Sequence, residues 1–400
     1  MVLNITKIIK MVGRLMAVKI MIGADLVPTE SNYEYFKSGD VQSLIGSELR
    51  KKLKSADFTI FNLEVPLVER LMPIDKCGPN LNAPIYTIKG LQAINPYFFT
   101  LANNHILDQG EQGLYSTIQI LKENKIAFAG AGKNLEEARE PYIVELNGLV
   151  IGIYCCAEHE FTIAQDDKAG ANPFDPLESF EHIENLKKKC DYVIVLYHGG
   201  KEHYRYPSPY LQKVCRKFVA KGADLVVCQH SHCIGAKEEW SAQGEKGTIV
   251  YGQGNFLFDD SDSEYWQTSL LLEVKLDTEM EIRYIPIEKK GENIQIANMQ
   301  AKQIMEEFDK RSTQIKDSKL VEDMYKQYAE EMKIHYLSRL QGRKNKSFAF
   351  RALNKLSGYK LERLIYEKQY QKKDGLNIAN CIECEAHREL LLQIVKDINN

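Results

Sequence analysis

At 400 residues with 44% apolar content, the chain is long enough for one large domain with a sizeable buried core, plus a smaller appendage. A formal net charge of −3 gives no general attraction to nucleic acid or to an anionic membrane, and the two tryptophans, Trp240 and Trp266, read as packing residues because no basic aromatic groove surrounds them. No uncharged apolar stretch reaches the length of about 18 residues that a membrane-spanning helix requires, and nine unevenly spaced cysteines point to free thiols in a reducing compartment.

Residues 1–16 carry Lys7, Lys10 and Arg14 between short apolar groups and lack a continuous hydrophobic run, so they read as an N-terminal extension without a signal peptide. From Val18 onward, short β-branched and aromatic runs alternate with helical patterns, the signature of an α/β domain on a central sheet. Strands are predicted over 18–23, 58–62, 98–101, 149–156, 191–197, 224–229, 248–251 and 281–287. Helices are predicted over 110–123, 177–189 and 209–221, where apolar residues recur three and four apart. Past residue 298 the strand signals stop, and helical patterns run through 324–340, 348–370 and 382–398 with breaks at 342–347 and 372–376. The expected division is therefore an extension 1–16, a domain 17–297 and a helical C-terminal region 298–400. Residues 301–400 hold 20 Lys and Arg against 15 Asp and Glu, a net +5, which reads as a solvated helical face, with an acidic protein partner for these helices or an anionic surface as the alternatives.

Residues that favour metals stand at the ends of the predicted strands, where a parallel-type sheet gathers its functional groups. Gly23-Ala24-Asp25 follows the first strand, Asn62-Leu63-Glu64 the second, and Ala102-Asn103-Asn104-His105-Ile106-Leu107-Asp108 the third. Two later strands run into His198-Gly199-Gly200 and His230-Ser231-His232. Steps of about forty residues from Asp25 to Glu64 and on to Asn104 fit one strand–helix–strand unit each. Alternation along an extended segment is expected to bring both His230 and His232 to one side. Carboxylate, amide oxygen and imidazole together suit a divalent transition metal, Mn, Zn or Fe, rather than calcium.

These segments, with His-Gly-Gly-Lys-Glu at 198–202, Gln-His-Ser-His at 229–232 and Tyr-Gly-Gln-Gly-Asn-Phe at 251–256, resemble the bacterial capsule synthesis CapA family, also called PGA_cap, of the calcineurin-like metallophosphatase superfamily. The resemblance covers about Val18 to Ile287. It implies a calcineurin-like metallophosphoesterase sandwich, central β-sheets flanked by helices, with a C-terminal helical appendage. It also implies two ions, one held by Asp25, Glu64 and His232 and one by Glu64, Asn104, His198 and His230, with Glu64 as the bridge. Two positions depart from the wider superfamily: Val27 stands where a histidine ligand often follows the first Asp, and Glu64 replaces the usual bridging Asp.

The chemistry then expected is hydrolysis of a phosphate ester by a metal-bridging hydroxide, with His105 as general acid and Asp108 orienting its other nitrogen. Lys76, Asn80, Glu158, Glu160, Lys201, Glu202 and Arg205 lie in loops after strands or beside the metal motifs and are candidate contacts to an anionic small molecule or polymer; Lys201 and Arg205 suit its anionic groups. Family resemblance implies a role in capsule or exopolysaccharide synthesis of the poly-γ-glutamate type. Two alternatives stand beside hydrolysis of a phosphoester: a non-catalytic assembly protein using the fold as a scaffold, which Val27 favours, and a metal-dependent amide or peptide hydrolase. The cytoplasm is the expected location, with the periphery of the cell envelope as the alternative. Cys381, Cys384 and His387 offer a further metal pattern, but their spacing equally fits one helical face.

Overall fold

Strand β1 (Val18–Val27) shows how the interior is divided. Val18, Ile20 and Ile22 project to one face and Met21 to the other, and all four are buried, so the strand is covered on both sides. The structure, a computed structural model, describes residues 17–340, 348–369, 372–384, 386–388, 390–391 and 394–395. The expected extension 1–16 and the expected break at 342–347 lie outside the described residues. The chain divides into two compact units between Glu322 and Asp323.

After β1, the principal elements of the first unit are α1 (Val41–Lys54), β2 (Phe58–Leu63), β3 (Phe98–Thr100), α2 (Gly110–Glu123), β4 (Ala127–Ala129), β5 (Tyr142–Leu146) and β6 (Leu149–Ala157). They continue with α3 (Ser179–Lys187), β7 (Tyr192–His198), α4 (Pro209–Ala220), β8 (Leu225–Gln229), β9 (Lys237–Ala242), β10 (Glu245–Val250) and β11 (Asn255–Phe258). The last are β12 (Thr268–Leu276), β13 (Met280–Lys290), β14 (Asn293–Ile296) and α5 (Ala301–Gln314).

One sheet has the order β14-β13-β12-β1-β2-β3-β4, parallel from β1 to β4 and antiparallel from β1 through β12 to β14, while β11 pairs in parallel with the end of β1. The other has the order β9-β10-β8-β7-β6-β5, with a parallel centre and an antiparallel strand at each edge. Between the sheets, Ile20, Ile22, Phe58 and Ile60 meet Ile151, Ile153, Ile194, Leu196 and Val227. The outer faces take helices: Leu49 of α1 and Leu114 and Leu121 of α2 join the cluster of Met21 and Phe61, and Leu186 of α3 and Phe218 of α4 that of Val193, Val195 and Val226. The result is the expected α/β class, two central sheets flanked by helices.

Every predicted strand is present, displaced by a few residues at its ends. Reading by pattern misses β4, β5, β9, β11, β12 and β14. Strands β5 and β9 are edge strands with charged, half-exposed residues, and the run Leu270-Leu271-Leu272 in β12 does not by itself separate strand from helix.

The first unit also extends further than the strand signals suggest. Helix α5 lays Ile304 and Phe308 into the inter-sheet core, with the Phe308 ring 5.0 Å from that of Tyr284 in β13, and Ile315 and Val321 join the core beneath α3 and α4. The unit therefore runs through Glu322, where the sequence reading ended it at 297. Helix α6 (Ser318–Leu340) is followed in the second unit by α7 (Phe348–Leu356), α8 (Lys360–Gln369) and α9 (Lys372–Glu383). The predicted helix 348–370 is interrupted where Gly358 and Tyr359 take left-handed φ angles of 63° and 64°. The predicted break at 372–376 is helical, because a lone Gly375 costs a helix only about 1 kcal/mol.

Phe308→Ala is predicted to lower the stability of the full chain by about 3–5 kcal/mol in equilibrium denaturation. A loss below about 1 kcal/mol would show that α5 is not part of this core.

Candidate metal centre

Both sheets turn the C-terminal ends of their parallel strands toward one rim, and the polar residues collect there. Pairing of β1 with β2 runs through Ile22 and Ile60, shifts, and resumes at Asp25 and Asn62. Gly23 lies in this bulge, where a Cβ would come 2.4 Å from the Phe61 ring, so a side chain there would drive β1 off its neighbour and displace Asp25. Glu64 follows β2, Asn103 and Asn104 follow β3, His198 ends β7, and His230 and His232 follow β8.

The segment carrying His230 and His232 is not extended. Both residues take left-handed φ angles, 86° and 52°, so the rings converge to 6.0 Å between centroids through two backbone kinks rather than through strand alternation. Among the bonds that hold this turn, the His230 N–H donates to Asp25 Oδ2 at 3.2 Å, the His203 N–H donates to the Ser231 carbonyl at 2.9 Å, and Arg311 Nε of α5 donates to the Gly235 carbonyl at 2.8 Å.

Donor atoms form two triads, Glu64 with His198 and His230, and Asp25 with Glu64 and His232, the atoms of each within 4.8 Å of one another. Glu64 belongs to both. Its two oxygens are buried without a hydrogen bond, as is His230 Nδ1. A carboxylate in that state is expensive unless a cation faces it, so the donor set fits a pair of metal ions sharing Glu64. Asn104 Oδ1 lies 2.9 Å from His198 Nε2, placing the amide oxygen beside the first triad.

Charge in the cluster is strongly coupled. Burial acts to lower the pKa of His232, but its hydrogen bond to Asp25 and the charges of Glu64 and Asp25 win and push it up to about 9. Burial is likewise overcome at His198, which is raised by Glu64 and Asp25. Burial acts to raise Asp25, yet the His232 hydrogen bond and the charges of His198 and His232 hold it below the usual carboxylate range. His230 is driven well below the ordinary histidine value by burial and by repulsion from His198 and His232.

A set of amides fixes this arrangement, and the sequence reading passed over it. Asn62 Nδ2 donates to Asp25 Oδ1 at 2.8 Å and lies 3.1 Å from His198 Nδ1; Asn103 Nδ2 in turn donates to Asn62 Oδ1 at 3.0 Å and to the Leu63 carbonyl at 2.9 Å. Asn255 Oδ1 lies 2.9 Å from His232 Nδ1, and the Trp266 ring packs 4.8 Å from the His232 ring while its Nε1 donates to His203 Nε2 at 2.9 Å. Asn62, Asn103 and Asn255 all lie inside the quoted motifs, so the signal for them was proximity to the ligands.

The other expected site residues fall into distinct environments. His105 Nδ1 is 2.6 Å from Asp108 Oδ2, and Asp108 also accepts from the Leu81 N–H at 2.6 Å and pairs with Lys76. Lys76 is buried in that pair, 3.3 Å from His105 Nδ1, so it belongs with the His105–Asp108 pair and is not an open loop charge. Glu160 accepts from Asn104 Nδ2 at 3.2 Å. Burial raises the pKa of Glu158, which accepts from the Tyr197 hydroxyl at 3.4 Å. Lys201 and Glu202 face each other at 3.7 Å, half-exposed. Asn80 is engaged in its own loop, donating to the Ile74 carbonyl at 2.9 Å, and Arg205 lies over the Tyr265 ring and 3.5 Å from Glu264. Val27 is packed in the core and offers no donor. Among the described residues, no donor cluster joins Cys381, Cys384 and His387.

Fold and site together define an α/β protein with a candidate two-metal centre where the strand ends of its sheets meet. Residues 19–260 match the family described as "Bacterial capsule synthesis protein PGA_cap", and the chain belongs to that family. The "Capsule biosynthesis protein CapA" of Bacillus anthracis is 30% identical over 216 residues, 52% of this chain and 52% of that protein. The "PGA biosynthesis protein CapA" of Bacillus subtilis (strain 168) is 27% identical over 212 residues, 52% of this chain and 54% of that protein. A "Probable polyglutamine synthesis accessory protein" of Mycobacterium tuberculosis is 44% identical over 185 residues, 43% of this chain and 48% of that protein. The chain thus spans about half the length of the curated relatives it matches. Among solved structures it is similar to a phosphatase of Mycoplasma pneumoniae, at 15% identity and a TM-score of 0.41 over 69% of this chain and 96% of that one. A 5'-nucleotidase precursor of Thermus thermophilus gives 15% identity and a TM-score of 0.40 over 74% of this chain and 58% of that one. Likeness this distant says nothing about the reaction.

Because ligand imidazoles must shed their protons, metal uptake at pH 7 is predicted to release protons, and affinity to rise with pH until about 9, where His232 has lost its own. Calorimetric titration of the stripped protein with Mn²⁺ or Zn²⁺ in buffers of different ionisation enthalpy measures this. Uptake without proton release would contradict the charge arrangement described above.

Proposed function

We propose that the chain is a metal-dependent hydrolase of phosphoric esters that acts in capsule or exopolysaccharide synthesis of the poly-γ-glutamate type. The observation that carries this reading is the Glu64 carboxylate, buried without a hydrogen bond and common to both donor triads. Asp25, Glu64 and His232 would hold one ion, and Glu64, Asn104, His198 and His230 the other. A pair of Mn, Zn or Fe ions there would acidify water toward neutrality and offset charge on the phosphoryl oxygens. Names of the relatives, which concern capsule, PGA and polyglutamine synthesis, support the pathway part of the reading.

The chain's own residues supply the rest. Asp108 accepts the hydrogen bond from His105 Nδ1–H and so orients the ring, and as general acid the doubly protonated imidazolium keeps that proton and gives its Nε2 proton to the leaving oxygen. Lys76 balances the Asp108 charge, so that carboxylate orients the ring without drawing the proton off it. Asn62 and Asn255 hold the imidazoles of His198 and His232 in place. Lys201 and Arg205 are the cationic groups assigned to an anionic substrate, with Asn80, Glu158, Glu160 and Glu202 shaping the loops beside it. The nine free cysteines support a reducing compartment, the cytoplasm, as the place of action, with the envelope periphery as the alternative. Among the described residues no helix is long and apolar enough to cross a membrane.

A second reading, a scaffold for assembly without turnover, is favoured by Val27, which removes a ligand, and by the word "accessory" in one relative's name. The same centre directed at an amide or peptide bond is the remaining alternative. Elemental analysis joined to a screen of phosphoesters and polyglutamate separates the three. Stoichiometric metal with phosphoester turnover, both lost in Glu64→Ala, is the outcome expected, whereas metal without any turnover identifies the scaffold and cleavage of polyglutamate alone the amide hydrolase.

His105→Ala is predicted to keep its metal and to lose about 10²-fold in kcat on alkyl phosphoesters, whose leaving groups need a proton, but far less on nitrophenyl esters, whose leaving groups do not. Equal losses on both substrates would remove His105 from the role of acid.

A further inference from the structure

The segment that follows β6 reaches two ligands of the same ion, one from each sheet. Its ends are buried, at Ala157 and Thr162, while His159, Glu160 and Phe161 between them are exposed. At the near end the Glu158 N–H donates to the His198 carbonyl at 3.0 Å, and Gly199 leaves room for the Glu158 side chain, since a Cβ there would come 2.8 Å from its Cγ. At the far end Thr162 Oγ1 donates to the Asn103 carbonyl at 2.7 Å. Between these anchors Glu160 accepts from Asn104 Nδ2 at 3.2 Å. One arch thus joins the exit of β7 to the exit of β3.

The contact with Asn104 bears on which atom of its amide faces inward. A side-chain amide presents an acceptor at Oδ1 and donors at Nδ2, and the two ends have nearly the same shape. A carboxylate only accepts, so Glu160 holds the nitrogen and turns the oxygen the other way. Asn104 Oδ1 then meets His198 Nε2 at 2.9 Å, beside Glu64, whose Oε1 is 3.4 Å from the same nitrogen. Among the described residues Nδ2 bonds no group but Glu160. Reversed, the amide would set oxygen against carboxylate and offer the ion a donor, which binds no metal. A carboxylate on the N–H also pushes electron density toward the oxygen and makes it a stronger ligand.

We propose that Glu160 is a positioning residue for the second ion: it presents the Asn104 oxygen, and the arch from Glu158 to Thr162 governs filling of the site formed by Glu64, Asn104, His198 and His230. The site of Asp25, Glu64 and His232 has no contact with Glu160 and fills without it. Glu160 then acts through Asn104 rather than on a substrate. This assignment rests on the two-ion part of the hydrolase reading and on no turnover.

The test is calorimetric titration of the stripped full-length protein with Mn²⁺, joined to electron paramagnetic resonance, since two Mn²⁺ ions sharing a carboxylate couple magnetically. The unsubstituted protein is expected to take up two ions per chain with a coupled spectrum. Glu160→Ala should weaken the second ion about tenfold or more, leave the first within about twofold, and diminish the coupled spectrum in favour of that of a lone Mn²⁺. Glu160→Gln loses the charge but keeps an acceptor oxygen, so its second ion should stay within about threefold. Because Glu160 is exposed, neither change disturbs the core. Equal losses in the two variants would show that charge alone acts, and would overturn the proposal. In the Asn104→Asp background both ends of the ligand are oxygen, so Glu160→Ala should no longer weaken the second ion, and an undiminished loss there also overturns it. So does a second ion bound as tightly by Glu160→Ala as by the unsubstituted protein. Uptake of one ion or none by the unsubstituted protein removes the two-ion reading and this proposal with it.

Discussion

Glu64 places a carboxylate in the interior with neither oxygen hydrogen-bonded, and the rest of the centre is arranged around that charge. Removing an ionised group from water costs several kcal/mol even after the surroundings relax. Three imidazoles, a second carboxylate and an amide oxygen close on it, delivered by the exits of four other strands. Positive charge offsets the cost of burying Glu64, and the pKa values of His198 and His232 are both raised by its carboxylate. Cations of higher charge in the same place would offset it more completely, which links the electrostatics of the fold to its chemistry.

Rigidity around that charge comes from polar side chains that are not ligands. Asn62 and Asn103 form a relay from the Leu63 carbonyl to Asp25 and His198, so the exits of β1, β2, β3 and β7 share one hydrogen-bond system. Asn255, at the start of β11, and Trp266, just ahead of β12, extend it to His232. The ligand geometry is therefore a property of both sheets together.

How much of this could be read from the residues follows from what each segment needs of its neighbours. Runs such as those of β1, β7 and β8 are apolar on both faces and end in polar motifs, so strand and ligand were legible together. Strands β5 and β9 were not, because an edge strand owes its pairing to a partner that the local pattern does not name. His230 and His232 were legible as a pair, but the left-handed kinks that bring their rings together depend on Asp25 and Arg311, both distant in sequence. Lys76 reads as a loop cation until Asp108, 32 residues on, is seen to bury it. Val27 was legible as a departure from the wider pattern, and its place in the core is seen only in the structure.

The bond from Arg311 to the Gly235 carbonyl has a consequence for how this protein can be dissected. A buried guanidinium from beyond the last strand stands under the turn that holds two of the histidines, and a Cβ on Gly235 would come 1.9 Å from the Tyr251 carbonyl oxygen, so the turn has no slack of its own. The smallest autonomous piece is therefore set by chain that looks dispensable: a fragment cut after the sheet keeps every ligand yet loses the prop that shapes their turn.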